Sequence, residues 1–371
     1  MVRSARDRGH GAARAWFALS LVRALTPREA HRLVAELGTP DAVLGASPAH
    51  LGRAGVRREV AHEIAAVGSM VDGEERARAA VGARIVAWCD GDYPAGLRAI
   101  ADPPLALAVR GTLLSADDVA IAVVGARRAS AYGCRVAREL ALGLAQAGVV
   151  VVSGLAAGID AAAHRGALEG GGRTIAVLGT GIDRIYPAWH AELARAVAGA
   201  GALCSEFPCG TPPLAQNFPR RNRVISGISV GTVVVEAAAR SGSLITARCA
   251  LEQGREVFAV PGPIGRAEHR GAHALIQQGA KLVNGVDDIL AEIGPALLGR
   301  LASHRAAAVE ATLTPLERCV LEAVGGSGHV DDVMRRARVP AGPLLETLLA
   351  LELRGLVEQV PGKRFRRSVA A

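Results

Sequence analysis

Val119-Ala120-Ile121-Ala122-Val123-Val124 runs without a polar residue into Gly125-Ala126-Arg127-Arg128, and this stretch decides the fold. A short apolar run rich in β-branched side chains and stopped by glycine reads as a strand buried on both faces. The pattern recurs at Val149–Val152, Thr174–Leu178, Gly201–Cys204, Thr232–Val235 and Glu256–Val260. Helical stretches separate most of these runs: Arg135–Ala147, Ala157–Leu168, Trp189–Val197 and Leu244–Gln253. Strands apolar throughout and alternating with helices call for a parallel sheet covered on both sides. The expected fold class is α/β, a doubly wound, mostly parallel Rossmann-like sheet.

Outward from that core the pattern changes at both ends. Residues 16–80 read as short helices separated by Thr26-Pro27, Gly38-Thr39-Pro40-Asp41 and Ala46-Ser47-Pro48. Arg84–Trp88 reads as a strand, and Tyr93-Pro94 and Asp102-Pro103-Pro104 as an extended connection into the main domain. Periodicity stops near Pro295, and an alanine-rich stretch follows. Three helical segments (Pro315–Val324, Val330–Ala337, Pro343–Arg354) and a hairpin at 356–367 then outline a winged helix. The expected domains are a helical module at 1–80, the Rossmann-like domain at 81–295, a linker at 296–312 and the winged-helix-like domain at 313–371.

Composition narrows the function classes. Half of the 371 residues are hydrophobic, enough for a large core, but no apolar run reaches the roughly 18–20 residues that span a bilayer. Arg3, Arg6, Arg8 and Arg14 before Ala15–Val22 imitate a signal peptide. Arg23 and Arg28 then stand where a cleavage site belongs, so an amphipathic helix and a cytoplasmic location are expected. Six scattered cysteines contain no C-x-x-C pair, which points to reduced residues and away from a zinc site. The net charge of +8 concentrates within residues 120–290, a distribution suited to a polyanion, although only Lys281 and Lys363 are lysines.

In an open parallel sheet, ligands bind beyond the carboxyl ends of the strands. Those ends carry Gly125-Ala126-Arg127-Arg128, Ser153-Gly154-Leu155-Ala156-Ala157-Gly158-Ile159-Asp160, Gly179-Thr180-Gly181-Ile182-Asp183 and Ser241-Gly242-Ser243. Glycine turns followed by helix N-termini gather amide donors and a partial positive charge, so phosphate binding is expected. A cofactor is not expected. A G-x-G-x-x-G run opening at Gly125 would need glycine at Arg127 and Ser130, and no lysine precedes Lys281 to complete a P-loop. Arginine beside the cradle favours bidentate phosphate contact or stacking on a base.

The second basic feature is Phe218-Pro219-Arg220-Arg221-Asn222-Arg223, opening a short helix that is expected to face the Gly125–Arg128 turn. Asp160 and His164, four residues apart, suit either an acid–base or metal pair or, more commonly, an ordered helix start. Glu236, at a strand end, suits either a ribose hydroxyl or the orientation of Arg221 or Arg223. His190, His269 and His273 form no ligand spacing with the cysteines. With aromatics at 3%, recognition should lean on phosphates, with Phe218, Tyr186 or an arginine stacking on a base.

Taken in order, these blocks resemble the DNA-processing protein A (DprA/Smf) family. The resemblance is carried by Val123–Arg127, Ser153–His164, Gly181-Ile182-Asp183 with Tyr186-Pro187, and Ser205-Glu206. Phe218–Arg223, Val235-Glu236-Ala237, Ser241–Ala247 and Phe258–Gly262 complete it, over about residues 90–285. It implies a non-catalytic protein that binds single-stranded DNA, forms a homodimer through the Rossmann-like domain, and loads a RecA-type recombinase during natural transformation. Its DNA contacts carry over to Arg127, and next to Arg221 and Arg223. With the residues read above, the candidate site is Gly125, Arg127, Arg128, Ser153, Gly154, Arg220, Arg221, Asn222, Arg223, Ser241 and Ser243.

The chain departs from the family pattern in two places. Ala24-Leu25-Thr26-Pro27-Arg28 lacks the glycines of a DNA-binding helical hairpin. Ala188 and Trp189 stand after Tyr186-Pro187, where a basic residue is expected, so one phosphate contact should be missing. On the C-terminal wing, Lys363, Arg364, Arg366 and Arg367 suit DNA, while winged helices equally serve as protein docking modules. The rival reading is a phosphoribohydrolase-like nucleotide hydrolase using Glu236. Its P-G-G-x-G-T-x-x-E arrangement is missing, since Pro261-Gly262 continues as Pro263-Ile264.

Overall fold

The computed structural model describes residues 5–294, 313–354 and 356–367, which fall into two units, Met1–Ala291 and Glu292–Ala371. The linker expected at 296–312 lies outside the described residues.

Six helices open the first unit: α1 (Ala5–Ser20), α2 (Pro27–Leu37), α3 (Pro40–Gly45), α4 (Pro48–Arg53), α5 (Arg58–Ala66) and α6 (Gly68–Ala80). The turn signals of the sequence are helix starts. Thr26, Thr39 and Ser47 each accept a hydrogen bond from an amide three residues on, with proline at the first helical position. Thr26 and Glu29 close a reciprocal capping box. The apolar stretch that imitates a signal peptide is core, with Trp16, Phe17 and Leu19 buried against Leu33, Leu51 and Ile64.

A nine-stranded sheet follows. Its elements are β1 (Ala83–Ala87), α7 (Ala95–Arg98), β2 (Ala106–Gly111), β3 (Ala120–Val124), α8 (Ala131–Gln146), β4 (Val150–Ser153) and α9 (Ile159–Glu169). Next come β5 (Thr174–Val177), α10 (Ala191–Ala200), β6 (Ala202–Ser205), α11 (Asn217–Ile228), β7 (Gly231–Val234) and α12 (Ser243–Glu252). Strand β8 (Glu256–Ala259), α13 (Arg270–Gln277) and β9 (Lys281–Leu282) finish it. The strand order is β1-β2-β6-β5-β4-β3-β7-β8-β9, parallel from β6 to β9. Strands β3 to β7 are buried along their whole length, which is why they read as unbroken apolar runs.

The segment read as an extended connection holds a strand of its own. Ala106–Gly111 pairs antiparallel with β1 on one side and with β6 on the other. Pro103-Pro104 suggested a break, but both prolines precede the strand and remove no donor from its ladder.

The order reverses at β3. From there the chain winds one way through β4, β5 and β6, and the other way through β7, β8 and β9. The gap beyond the carboxyl ends of β3 and β7 is the topological switch point, where α/β folds bind ligands.

The second unit contains α14 (Pro315–Val324), β10 (Ser327–His329), α15 (Val330–Ala337), α16 (Ala341–Leu353), β11 (Val357–Val360) and β12 (Arg364–Arg367). Its sheet order is β10-β12-β11. Val320, Val324, Val333, Leu344, Leu348, Leu351 and Phe365 form its core. Three helices and a small antiparallel sheet make this a winged helix.

Candidate nucleic-acid interface

A cleft of about 570 Å³ opens at the switch point. Gly125 and Arg127 enter it from the turn after β3, and Ala156 and Asp160 from the turn after β4. Phe218, Arg221 and Asn222 come from α11, and Ser241, Gly242, Ser243 and Thr246 from the start of α12. Tyr186 closes one rim.

Two guanidinium groups share this space. Arg127 is exposed, and its guanidinium lies 4.8 Å from the centre of the Phe218 ring. Arg221 is buried, 5.9 Å from the same ring centre. It donates to the carbonyls of Gly154 (2.8 Å) and Val177 (2.5 Å), and its Nε donates to Asn222 Oδ1. Burial lowers Arg221 to about 10, with Asp160 acting to raise it and Arg127 to lower it further. Arg221 therefore stays charged at neutral pH, and its repulsion with Arg127 is relieved by an anion placed between them.

The glycine turns are used differently from the sequence expectation. Asp160, at the start of α9, accepts hydrogen bonds from the amides of Gly154 (3.1 Å) and Ala156 (3.3 Å). An internal carboxylate thus occupies the nest that a phosphate was expected to fill. Burial raises the Asp160 carboxyl, while Arg221, the two amides and Arg127 hold it down. Gly154 is needed because a Cβ there would overlap the Arg221 guanidinium. Gly158 has φ +79°, and a Cβ would also overlap the Ala126 carbonyl oxygen.

The N-terminus of α8 is satisfied in a similar way. Glu236 is fully buried and accepts from the backbone amide and hydroxyl of Ser130, which in turn caps Gly133. It orients neither Arg221 nor Arg223, and it does not line the cleft, so the hydrolase reading loses its proposed catalytic group. His164 is also buried, bonded to Thr174 Oγ1 at 2.7 Å, and burial pushes it down to about 3. Asp160 and His164 serve separate structural bonds. Among the described residues no group of His, Cys, Asp and Glu is placed to hold a metal ion.

At the start of α12 the Ser243 amide donates to Ser241 Oγ at 3.4 Å, and the Ser241 and Ser243 hydroxyls bond each other at 2.7 Å beside the cleft. Asn222 ties this turn to α11 through the Gly242 carbonyl. Two hydroxyls and two guanidinium groups therefore converge on one open space, donors of the kind that a phosphodiester requires.

Of the predicted site residues, the cleft brings together Gly125, Arg127, Arg221, Asn222, Ser241 and Ser243. Gly154 stands just behind Arg221. Ser153 is buried and donates to the Val123 carbonyl, joining β4 to β3. Arg128 is exposed beyond the cleft lining. Arg220 and Arg223 turn to the opposite side of α11, where both pair with the buried carboxylate of Glu206 at 3.2 and 2.7 Å. Arg223 also reaches Asp102 at 2.9 Å. Positions 220 and 223 share a helix face, and 221 lies on another, so one helix could not aim all three arginines at one ligand. Thr246 and Ile245 also line the cleft and were not singled out; they lie on the first turns of a helix whose serines were.

Comparison with known proteins places this cleft in a family. Residues 84–294 match the model of DNA recombination-mediator protein A. The chain belongs to the DNA-processing protein A family. Residues 304–363 also match the family's own winged helix domain. Protein Smf of Escherichia coli K12 is 47% identical over 283 residues, which cover 74% of this chain and 76% of that protein. The crystal structure of DNA processing protein A from Streptococcus pneumoniae superposes with TM-score 0.68 at 36% identity, covering 75% of this chain and 97% of that one. A structure of the Helicobacter pylori protein, described for its single-stranded DNA binding mode, matches with TM-score 0.50 at 27% identity over 55% of this chain and 93% of that one. Membership fits the donor set: the family description is that of a mediator of recombination, and the cleft holds cations and hydroxyls.

In the winged helix, Arg364 and Arg366 are exposed on the wing, and Arg366 pairs with Glu358. Helix α16, which occupies the recognition position, carries two glutamates and no basic residue, and exposes Leu345 and Leu349. That composition disfavours insertion of α16 into a DNA groove; exposed basic residues are found instead on the wing and at Arg335, Arg336 and Arg338 at the end of α15.

Proposed function

We propose that the switch-point cleft binds single-stranded DNA, and that the chain acts on DNA by binding and handing over, without catalysis. Arg127 and the Ser241 and Ser243 hydroxyls meet successive phosphates. Arg221 is a fixed positive charge behind them, and Phe218 and Tyr186 offer ring faces to an unpaired base. The observation that carries this reading is the convergence of Arg127 and Arg221 on the Phe218 ring, at 4.8 and 5.9 Å, in an open cleft beside the Ser241 and Ser243 hydroxyls. The Helicobacter pylori relative's described binding of single strands supports it.

The same reading includes a homodimer formed through the Rossmann-like domain, delivery of a RecA-type recombinase to the bound strand during transformation or recombination, and a cytoplasmic site of action. No helix among the described residues is long and apolar enough to cross a membrane. Titrating fluorescein-labelled oligonucleotides of one length, single-stranded and duplex, tests the proposal. Tighter binding of the single strand with little dependence on base sequence is expected; equal or better binding of the duplex contradicts it.

A further inference from the structure

Trp189 is 77% exposed, an unusual position for the largest apolar side chain in a protein with three tryptophans. Its turn is held from both sides. The amide of His190 donates to the Pro187 carbonyl at 3.0 Å, and His190 Nδ1 bonds the Leu155 carbonyl in the turn after β4 at 2.8 Å. On the other side of Pro187 stands Tyr186, which lines the cleft and meets the Phe218 ring at a centroid distance of 5.9 Å. The His190 ring meets the indole at 78°, with 6.2 Å between centroids, so this neighbour does not stack on the indole face. A rigid turn therefore presents a large aromatic surface to solvent, three residues from the cleft rim.

We infer that Trp189 is a base-stacking platform that extends the strand site past Tyr186, holding an unpaired base that has left the cleft. This rests on the reading of the cleft as a single-strand site. Ala188-Trp189 carries no charge, so the turn's hold on a strand is apolar and stacking in kind, distinct from the phosphate contacts of Arg127. A duplex keeps its bases stacked on each other and offers no free face, so the platform also contributes to discrimination between single and double strands.

Trp16 and Trp88 are packed into the N-terminal core, which makes Trp189 the indole open to added DNA. Intrinsic fluorescence during titration with an unlabelled oligothymidylate should be quenched in the parent protein, and the quench should vanish in Trp189→Ala. That variant should bind the single strand about ten-fold more weakly, with an unchanged salt slope. Trp189→Phe should keep most of the affinity, and abasic sites spread along the oligonucleotide should erase the difference between parent and Trp189→Ala. Unchanged affinity in Trp189→Ala, while Arg127→Ala still weakens binding, overturns the platform and leaves the cleft standing. Loss of a slower-sedimenting or faster-sedimenting species in Trp189→Ala, with affinity intact, assigns the indole to a contact between protein copies and also overturns it. Failure of both variants to alter binding refutes the cleft reading itself.

Discussion

The guanidinium of Arg221 lies in the space that Gly154 leaves by lacking a side chain, donating to its carbonyl at 2.8 Å. This contact changes how a glycine turn of nucleotide-binding appearance is used. The notch that would receive a phosphate holds a protein cation instead, and Asp160 fills the amide nest beside it. The proposed phosphate contacts lie further out, at Arg127 and the Ser241 and Ser243 hydroxyls.

Gly154→Ala should therefore act on both folding and binding. The added methyl pushes the Arg221 guanidinium out of its notch and costs about 1–3 kcal/mol of stability. Affinity for a single strand should fall roughly ten-fold, corresponding to about 1.4 kcal/mol. Parallel oligonucleotide titration and urea unfolding would check both numbers. Parent-like affinity would mean that Arg221 has no part in holding the strand.

Arg223→Ala should show the converse. Glu206 is buried and would keep only the partly exposed Arg220, so stability should fall by about 3 kcal/mol. The folded protein should retain most of its DNA affinity, because Arg223 faces away from the cleft. Binding measured well below the unfolding midpoint separates the two effects.

His164 gives a signed pH prediction. In the unfolded chain it takes up a proton as the pH falls below about 6.5, whereas burial pushes it down to about 3 in the folded protein. The stability it contributes is full above pH 6.5 and is lost progressively as the pH falls toward 3. The slope from this group approaches about 1.4 kcal/mol per pH unit. His164→Gln should flatten the unfolding free energy over that window relative to the parent; identical slopes would show that the histidine titrates normally.

Glu236→Gln separates structure from catalysis. One oxygen still accepts from Ser130, but the charge at the start of α8 is lost, for about 1 kcal/mol of stability. Single-strand binding should persist, and neither protein should release base or phosphate from nucleoside monophosphates in a chromatographic assay. Turnover in the parent that disappears in the variant would restore the hydrolase reading.

The sheet was legible because its strands are buried on both faces, so burial and sequence say the same thing: Val119–Val124 and its counterparts fall within a residue or so of β3 to β8. The winged helix was legible from its three helical segments and its turn at Pro361-Gly362-Lys363. Strand β2 was obscured by the prolines before it. The site was legible as a place more than as a set of contacts. Arg127 and Ser241-Gly242-Ser243 are where strand-end logic puts them. Side-chain occupation of a turn by Asp160, and the division of Arg220, Arg221 and Arg223 between two helix faces, depend on which partners the fold brings near. Glu206 and Gly154 lie 17 and 67 residues from their arginines.

Arg127 is the residue on which a strand bound in the switch-point cleft most directly depends. Affinity for a labelled single strand should be measured as a function of salt for the parent and for Arg127→Ala. Loss of one phosphate contact predicts binding weaker by about ten-fold at moderate salt and a log–log salt slope shallower by about 0.7. Superimposable curves for the two proteins would contradict a strand bound in the switch-point cleft.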